Sequence, residues 1–323
     1  MPATTEEATT LKHDWTIAEL REIHNQPLND LLFQAQTLHR SHHEANKVQL
    51  CTLLSIKTGN CPENCGYCPQ SAHHEAEVDD HGLMDLDSVL EAAKAASENG
   101  STRFCMGASW RDAPKNDQFD QVLDMVRGVR DLGMEACCTL GMLTDQQAVQ
   151  LGEAGLTAYN HNLDSSPEFY NKVVTTRTYQ ERLDTLKSVR DAGVTLCTGG
   201  IIGMGESIDD RMSMLAVLAS HDPHPESVPV NMLLRVPGTP MADLPPVDSF
   251  EMVRMIATAR IAMPASMVRF AAGRIGLSEE TQALCFMAGA NSIFTGDKLL
   301  TTPNPGEDHD QKLLEKCGLE GLS

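Results

Sequence analysis

The chain has 323 residues, of which 41% are hydrophobic and 22% are charged, a composition that is ordinary for a globular protein. Its 25 basic and 45 acidic residues give a formal charge of −20, which argues against nucleic acid or an anionic membrane as a partner. No apolar run is long enough to span a membrane, and the first 15 residues lack the features of a signal or transit peptide. We therefore expect a cytoplasmic protein with reduced thiols, whose ten cysteines serve metal binding or redox chemistry.

The first 45 residues are polar and mixed in charge, and they predict an N-terminal helical extension (1–45) with one helix over residues 16–36. Further helical patterns cover 87–99, 119–132, 144–153 and 178–191.

A recurring pattern follows, in which a helical stretch ends in glycine and a short β-prone run begins. Glycine suits the left-handed position that ends a helix. Eight such runs or their equivalents are 48–56, 98–107, 131–141, 153–164, 191–200, 226–234, 265–273 and 289–296. Eight β-strand/α-helix units predict an α/β fold, a (β/α)8 TIM-type barrel over residues 46–323 whose C-terminal segment, 301–323, lies outside the repeats. An open variant of the barrel or a doubly wound sheet also fits the pattern.

Cys61, Cys65 and Cys68 form a C-x3-C-x2-C run directly after the first predicted strand. Active sites of such barrels lie on the loops at this end of the strands. Structural zinc usually takes four protein ligands, and His73 or His74 could supply the fourth. We favour a [4Fe–4S] cluster, because three thiolates leave one iron open for chemistry.

Polar side chains recur on one face of several predicted strands, where a barrel interior normally holds branched aliphatic residues. They indicate an interior that holds cofactors, because buried polar groups need a partner or a ligand. Cys137 and Cys138 point to opposite faces, so only one of them can be interior. The polar positions are Arg103 with Cys105, Cys137 with Thr139, Asn160 with Asn162 and Asp164, and Asn231 and Arg269.

The glycines at 199, 200, 203 and 205 do not match a dinucleotide-binding fingerprint; a tight turn and a ligand contact are both open interpretations. Arg177 and Arg182, in the run before a predicted helix, could bind a carboxylate. We interpret His161 as a packing or hydrogen-bonding residue.

The cysteine run resembles the signature of the radical S-adenosylmethionine (SAM) enzymes. In that superfamily the open iron binds SAM, and an electron from the cluster gives a 5′-deoxyadenosyl radical. The resemblance implies that Tyr67, before the last cysteine, packs near the adenine.

A closer resemblance, to the biotin synthases, extends over roughly residues 40–320. It is carried by SIKTGNCPENCGYCPQS (55–71), STRFCMGASW (101–110), LGMEACCTLG (132–141), YNHNLDSSPEFY (159–170), TTRTYQERLDTL (175–186), ESVPVNMLLRVPGTP (226–240) and CFMAGANSIFTGDKLLTTPNP (285–305).

This family resemblance implies an enzyme that converts dethiobiotin to biotin with two clusters and SAM. The [4Fe–4S] cluster would be held by Cys61, Cys65 and Cys68. A [2Fe–2S] cluster, the sulfur donor, would be held by Cys105, Cys137, Cys197 and Arg269. The ligand set would shift by one if Cys138 faced inward instead of Cys137. Cys51, Cys285 and Cys317 match no ligand position, and we interpret them as structural.

The resemblance also implies binding roles for single residues. Asp164 would contact the SAM ribose, and Arg182 the SAM carboxylate. Asn162 and Asn231 would face the ureido ring of dethiobiotin, and Thr301 and Thr302 its carboxylate tail. The family is typically homodimeric and takes electrons from a flavodoxin- or ferredoxin-type protein. The alternatives are a radical SAM enzyme with another substrate and a zinc-stabilised or electron-transfer protein without catalysis.

Overall fold

Strands and helices alternate along the chain in the structure, a computed structural model that describes residues 11–322. The strands are β1 Lys47–Lys57, β2 Arg103–Ala108, β3 Glu135–Thr139, β4 Ala158–Asn160, β5 Thr195–Cys197, β6 Gly200–Ile202, β7 Ser227–Met232, β8 Met267–Phe270, β9 Ser292–Thr295, β10 Lys298–Leu299, β11 Thr302–Pro303 and β12 Glu320–Gly321. The α-helices are α1 Ile17–His24, α2 Leu28–His42, α3 Leu86–Glu98, α4 Asp117–Asp131, α5 Asp145–Glu153, α6 Tyr170–Val173, α7 Tyr179–Asp191, α8 Ile208–Ala219, α9 Ser249–Ala262, α10 Glu279–Met287 and α11 Glu307–Cys317.

The strands β1 to β9 form a closed parallel barrel. Each pairs with its neighbour around the ring, and β9 pairs with β1 to close it. β5 and β6 share one position in the ring, because both pair with β7. The barrel therefore has eight strand positions, and the predicted (β/α)8 class is confirmed.

The break between β5 and β6 has a steric cause at Gly199. A Cβ atom there would lie 1.9 Å from the carbonyl oxygen of Pro229 in β7, so only glycine fits so close to that strand. Pro229 also lacks an N–H group and cannot donate to a neighbouring strand at this point. The glycine run is thus a turn shaped by close backbone approach, and its Ile201 lines the central cavity.

The four helices predicted after the first extension correspond to α3, α4, α5 and α7 within two residues at either end. The single helix predicted over 16–36 is wrong. Two helices, α1 and α2, occupy this region, and the chain breaks at 25–27 because Pro27 has no N–H group and disfavours helix in the residue before it. Residues 1–10 of the predicted extension lie outside the described residues.

Two separate groups of buried side chains occupy the barrel. The larger lies between the strands and the surrounding helices and includes Phe104, Cys138 and Phe270. The smaller group, in the barrel interior, holds Cys51, Cys105, Cys137, Ala158, Cys197, Ala271, Phe294 and Leu299. Thiols and alanines replace the usual branched aliphatic residues here, which leaves room for a cavity. None of the helices within residues 11–322 is long and apolar enough to cross a lipid bilayer.

Candidate active site

A cavity of about 300 Å³ lies inside the barrel and opens at the carboxyl ends of the strands. This volume is at the lower end of the range of small-molecule sites. Thirteen predicted site residues line it: Cys61, Cys65, Tyr67, Cys68, Cys105, Cys137, Asn162, Asp164, Arg182, Asn231, Arg269, Thr301 and Thr302. The remaining one, Cys197, is fully buried beside Arg269, whose Nη1 atom lies 3.6 Å from the Cys197 Sγ.

The outer thiols, Cys61, Cys65 and Cys68, lie on the loop that follows β1. Backbone hydrogen bonds fix this loop: the Cys61 N–H donates to Gln70 at 2.9 Å, and the Gly66 N–H to Val173 at 2.8 Å. Three thiols on a loop fixed in this way, beside a cavity, fit a metal cluster.

The outer thiols are neutral before metal binds. Burial raises the pKa of Cys61 and of Cys65, and it raises the pKa of Cys68 to about 12. Metal binding replaces the thiol protons, since only thiolates coordinate. A guanidinium is already in place beside them, because Arg177 Nη2 donates to the Cys65 Sγ at 3.4 Å.

The two histidines considered as zinc ligands are engaged with the loop backbone. His73 Nε2 donates to the Pro62 carbonyl at 3.0 Å, and His74 Nε2 to the Cys65 carbonyl at 2.9 Å. Across residues 11–322, no three His, Cys, Asp or Glu side chains are grouped closely enough to hold a single metal ion.

The inner thiols, Cys105, Cys137 and Cys197, project into the barrel from β2, β3 and β5. The ambiguity between the adjacent cysteines is resolved: Cys137 lines the cavity, whereas Cys138 packs in the core outside the barrel. Hydrogen bonding with Cys137 lowers the pKa of Cys105 and of Cys197, and the same contacts raise the pKa of Cys137. Three buried thiols in one layer, with Cys137 next to both of the others, fit a second, smaller cluster.

Arg269 lies among the inner thiols on β8 and is fully buried. Its Nε donates to the Ser292 Oγ at 2.9 Å, and its Nη2 lies 3.3 Å from the Sγ of Cys51. Burial lowers the pKa of Arg269, but the thiols around it outweigh that effect and raise the pKa above its usual value. The guanidinium of Arg269 therefore lies against the sulfurs of the inner layer.

Cys51 belongs to the inner layer, although the sequence interpretation assigned it a structural role. It is fully buried and packs with Cys105, Cys137 and Cys197. The sequence signal for it was the alternation along β1, which places Cys51 on the same face as Leu53 in the cavity wall.

Asp164 and Arg182 form a buried salt bridge at the cavity wall, and both side chains are at most 5% exposed. Arg182 Nε also donates to the Tyr170 hydroxyl at 2.9 Å. Asp164 has a φ of 65°, a conformation that aspartate tolerates better than most residues. The pair therefore presents fixed charges to the cavity.

Two asparagines in the wall are held by backbone groups. Asn162 Oδ1 accepts from the Gly199 N–H at 3.1 Å, and Asn231 Nδ2 donates to the Gly200 carbonyl at 3.0 Å. His161 also lines the cavity; burial keeps its pKa well below its usual value, so the ring is neutral.

The hairpin of β10 and β11 brings Thr301 and Thr302 to the cavity, with Thr302 Oγ1 donating to the Leu299 carbonyl at 3.0 Å. Charged and polar groups therefore line the wall that lies between the outer and inner thiols.

Two family descriptions match adjacent parts of this chain. The Radical SAM superfamily matches residues 55–218, and the Biotin and Thiamin Synthesis associated domain matches residues 229–320. The methylornithine synthase PylB shares the fold, with a TM-score of 0.80 over 95% of this chain and 94% of that one at 17% identity. The hydrogenase maturase HydG of Carboxydothermus hydrogenoformans gives 0.81 over 95% and 76% at 15% identity. The chain thus has the fold and the sequence signature of the radical SAM enzymes.

Full-length relatives narrow this class. Biotin synthase of Sorangium cellulosum is 61% identical over 97% of this chain and 89% of its own length. Biotin synthase of Thioalkalivibrio sulfidiphilus is 60% identical over 97% of this chain and 92% of its own. The chain belongs to the biotin synthase family, whose members are radical SAM sulfur-inserting enzymes that use SAM and a [4Fe–4S] cluster.

Proposed function

We propose that this enzyme converts dethiobiotin to biotin, with a [4Fe–4S] cluster on the outer thiols and a [2Fe–2S] cluster among Cys105, Cys137, Cys197 and Arg269. The observation that carries the proposal is a common cavity. Thirteen of the residues assigned by resemblance line it. The two groups of thiols lie at different levels of this cavity, on a loop and within the strands.

The chemistry of the substrate calls for a radical. The carbons of dethiobiotin that receive sulfur are a methyl and a methylene group, without a leaving group or an acidic hydrogen, so acid–base residues cannot activate them. When bound, the two clusters with SAM supply a 5′-deoxyadenosyl radical and a sulfur atom. The protein's own part is to bind, orient and shield the reactants.

The cavity wall offers groups for each reactant. Tyr67 packs with Phe169 and Met204 beside the outer thiols, a surface on which the adenine of SAM would lie. Asp164 would accept from the ribose hydroxyls, and Arg182 would donate to the SAM carboxylate, as guanidinium groups do. Both groups are already fixed by their salt bridge, so little order has to be gained on binding.

Dethiobiotin would lie between SAM and the inner thiols. The amides of Asn162 and Asn231 are directed by backbone hydrogen bonds and would pair with the ureido ring. Thr301 and Thr302, on the β10–β11 hairpin, would receive the carboxylate tail at the mouth of the cavity. The hairpin, together with Leu299 and Leu300, would keep water from the radical.

Several partners and properties complete the proposal. The enzyme acts in the cytoplasm as a homodimer whose N-terminal helical extension ends near residue 45. It receives electrons from a flavodoxin or a ferredoxin. These proteins are usually acidic, so docking on a chain with a charge of −20 needs a local basic patch.

The direct test is a product assay with reconstituted enzyme, dethiobiotin, SAM and a strong reductant. Biotin and 5′-deoxyadenosine are expected by mass detection, and neither is expected from Cys65→Ala. The matched control is Cys285→Ala, which removes a buried thiol in α10 away from the cavity and should leave both products. Absence of biotin from enzyme loaded with both clusters would refute the substrate, and normal deoxyadenosine from Cys65→Ala would refute the role of the outer thiols.

A further inference from the structure

Arg177 lies beside the outer thiols, and the proposed function gives it no role. Its side chain is 8% exposed and lines the cavity, and its Nη2 donates to the Cys65 Sγ at 3.4 Å. Its Nε lies 4.0 Å from the Glu63 Oε2 and has no hydrogen-bond partner among residues 11–322. A buried donor without a partner is costly, so this guanidinium is placed for a group that the cavity receives next to the thiols.

The two neighbouring arginines are paired more closely. Arg182 forms its salt bridge with Asp164, and Arg111 Nη1 donates to the Glu63 Oε1 at 2.7 Å. Both have a carboxylate at hydrogen-bond distance, whereas the nearest carboxylate to Arg177 is at 4.0 Å. The positive charge of Arg177 is therefore the least closely compensated of the three, and it lies next to a sulfur.

The position of Arg177 is fixed by contacts between its own segment and the cysteine loop. The Asn64 side chain donates to the Thr175 Oγ1 at 2.7 Å and accepts from the Thr175 N–H at 2.9 Å. The Asn64 N–H donates to the Thr176 Oγ1 at 3.1 Å. Helix α7 begins two residues after Arg177. The guanidinium is thus held in place beside Cys65 before any cluster binds, as a preorganised charge.

Such a charge acts on electron transfer to a cluster. The reduction potential of an iron–sulfur cluster depends on its net charge and on hydrogen bonds to its sulfurs. Reduction adds one negative charge, which a fixed cation nearby stabilises. Because Arg177 and Cys65 are both buried, solvent and salt screen this interaction only weakly.

We propose that Arg177 is a positioning residue that raises the reduction potential of the outer [4Fe–4S] cluster through its charge and its hydrogen bond to Cys65. Glu63, a carboxylate that is 2% exposed on the same loop, acts in the opposite direction. This inference rests on the part of the proposed function that assigns the outer cluster to the three loop thiols. It goes further, because it assigns control of the electron-accepting step to two side chains that are not ligands.

The test is a redox titration of the anaerobically reconstituted chain without SAM, followed by the EPR signal of the reduced [4Fe–4S] cluster. We expect Arg177→Gln to lower the equilibrium constant for reduction at least about tenfold, which is about 59 mV for a one-electron couple. Arg177→Lys keeps the charge and should lie between Arg177→Gln and wild type. Since SAM is left out, weaker SAM binding cannot cause the shift.

Two further variants separate charge from structure. Glu63→Gln removes a negative charge but keeps an acceptor for Arg111, and it should raise the potential. A merely structural disturbance of the loop would not shift the two variants in opposite directions. The matched control is Arg254→Gln, which removes a cation from α9, where the guanidinium donates to the carbonyls of His24 and Gln26. Its potential should equal that of the wild type.

The outcomes distinguish this inference from the proposed function. An unchanged potential in Arg177→Gln, with or without a loss of SAM affinity, would overturn the role of Arg177 alone. If Arg177→Gln takes up no cluster, Glu63→Gln and Arg177→Lys decide, and a lowered potential in Glu63→Gln would overturn the inference. A wild-type chain without a [4Fe–4S] signal would overturn the outer centre of the proposed function. Shifts as expected without biotin formation would refute the substrate and leave Arg177 its role.

Discussion

Buried arginines meet three different kinds of partner in this molecule. Arg182 and Arg274 each pair with an aspartate, Asp164 and Asp310 respectively. Arg260 donates to backbone carbonyls such as Gly289 and to the Asn291 amide. Arg269 contacts thiols. Because a buried cation needs compensation, each of these arginines is held in place by the partner that it meets.

The salt bridge of Asp164 and Arg182 should contribute to stability as well as to binding. Asp164→Asn keeps the shape of the side chain and tolerates the positive φ, but it leaves the Arg182 guanidinium buried beside a neutral amide. We expect the free energy of unfolding in urea to fall by about 3 kcal/mol. The control is Asp191→Asn, which removes an exposed pair with Lys187 and should have no measurable effect. Equal urea midpoints for Asp164→Asn and wild type would contradict this account of the pair.

Single side chains also show why part of the site was not predictable. The cysteine triplet and the polar strand positions were readable because spacing and alternation fix which residues share a loop or a face. Alternation could not tell which of Cys137 and Cys138 faces inward, because that depends on how β3 is oriented against its neighbours. The contact of Cys51 with Arg269 was not predictable, because the two residues are distant in sequence and meet only in the closed barrel.

At the scale of elements, helix α2 packs against α9 through a group of basic side chains. His39 and His43 lie beside Arg260, and the His43 Nε2 accepts a hydrogen bond from Arg260 Nη1 at 2.8 Å. The same nitrogen lies 3.1 Å from the Pro264 carbonyl oxygen. Burial, followed by the charge of Arg260, lowers the pKa of His39 to about 3 and that of His43 to about 4.

This arrangement predicts acid sensitivity of the α2–α9 contact. The unfolded chain takes up protons on these histidines near pH 6.5, whereas the folded chain does so only at about pH 3 to 4. Stability is therefore complete above pH 6.5 and is lost as the pH falls towards 4. We expect the free energy of unfolding to fall by about 2 kcal/mol between pH 7 and pH 4.5 because of His39.

The variant His39→Asn with His43→Gln removes both titrations and keeps an acceptor at position 43. Its unfolding free energy should depend less on pH over this interval than that of the wild type. The same pH dependence in both proteins would show that the acid sensitivity lies elsewhere.

The elements themselves were largely predictable, since helix-ending glycines such as Gly133 and Gly193, with φ of 82° and 75°, punctuate the chain. Two features were not predicted. The break between α1 and α2 follows from Pro27, which disfavours helix in the residue before it. The split of β5 from β6 depends on the Pro229 carbonyl in another strand, which no local pattern contains.

At the scale of the whole molecule, a closed barrel brings residues from position 53 to position 302 around one cavity. Thiols and alanines in its interior fill it less completely than aliphatic residues would, so the barrel gains space at the expense of packing. The outer thiols lie on a loop at one end and the inner thiols within the strands, so the wall between them carries the groups for SAM and substrate.

Iron and sulfide content per chain tests this two-centre architecture most directly. After anaerobic reconstitution, the account predicts about six irons and about six sulfides, four of each from the outer cluster and two of each from the inner one. About four irons per chain would contradict the inner cluster, and zinc in place of iron would contradict both centres.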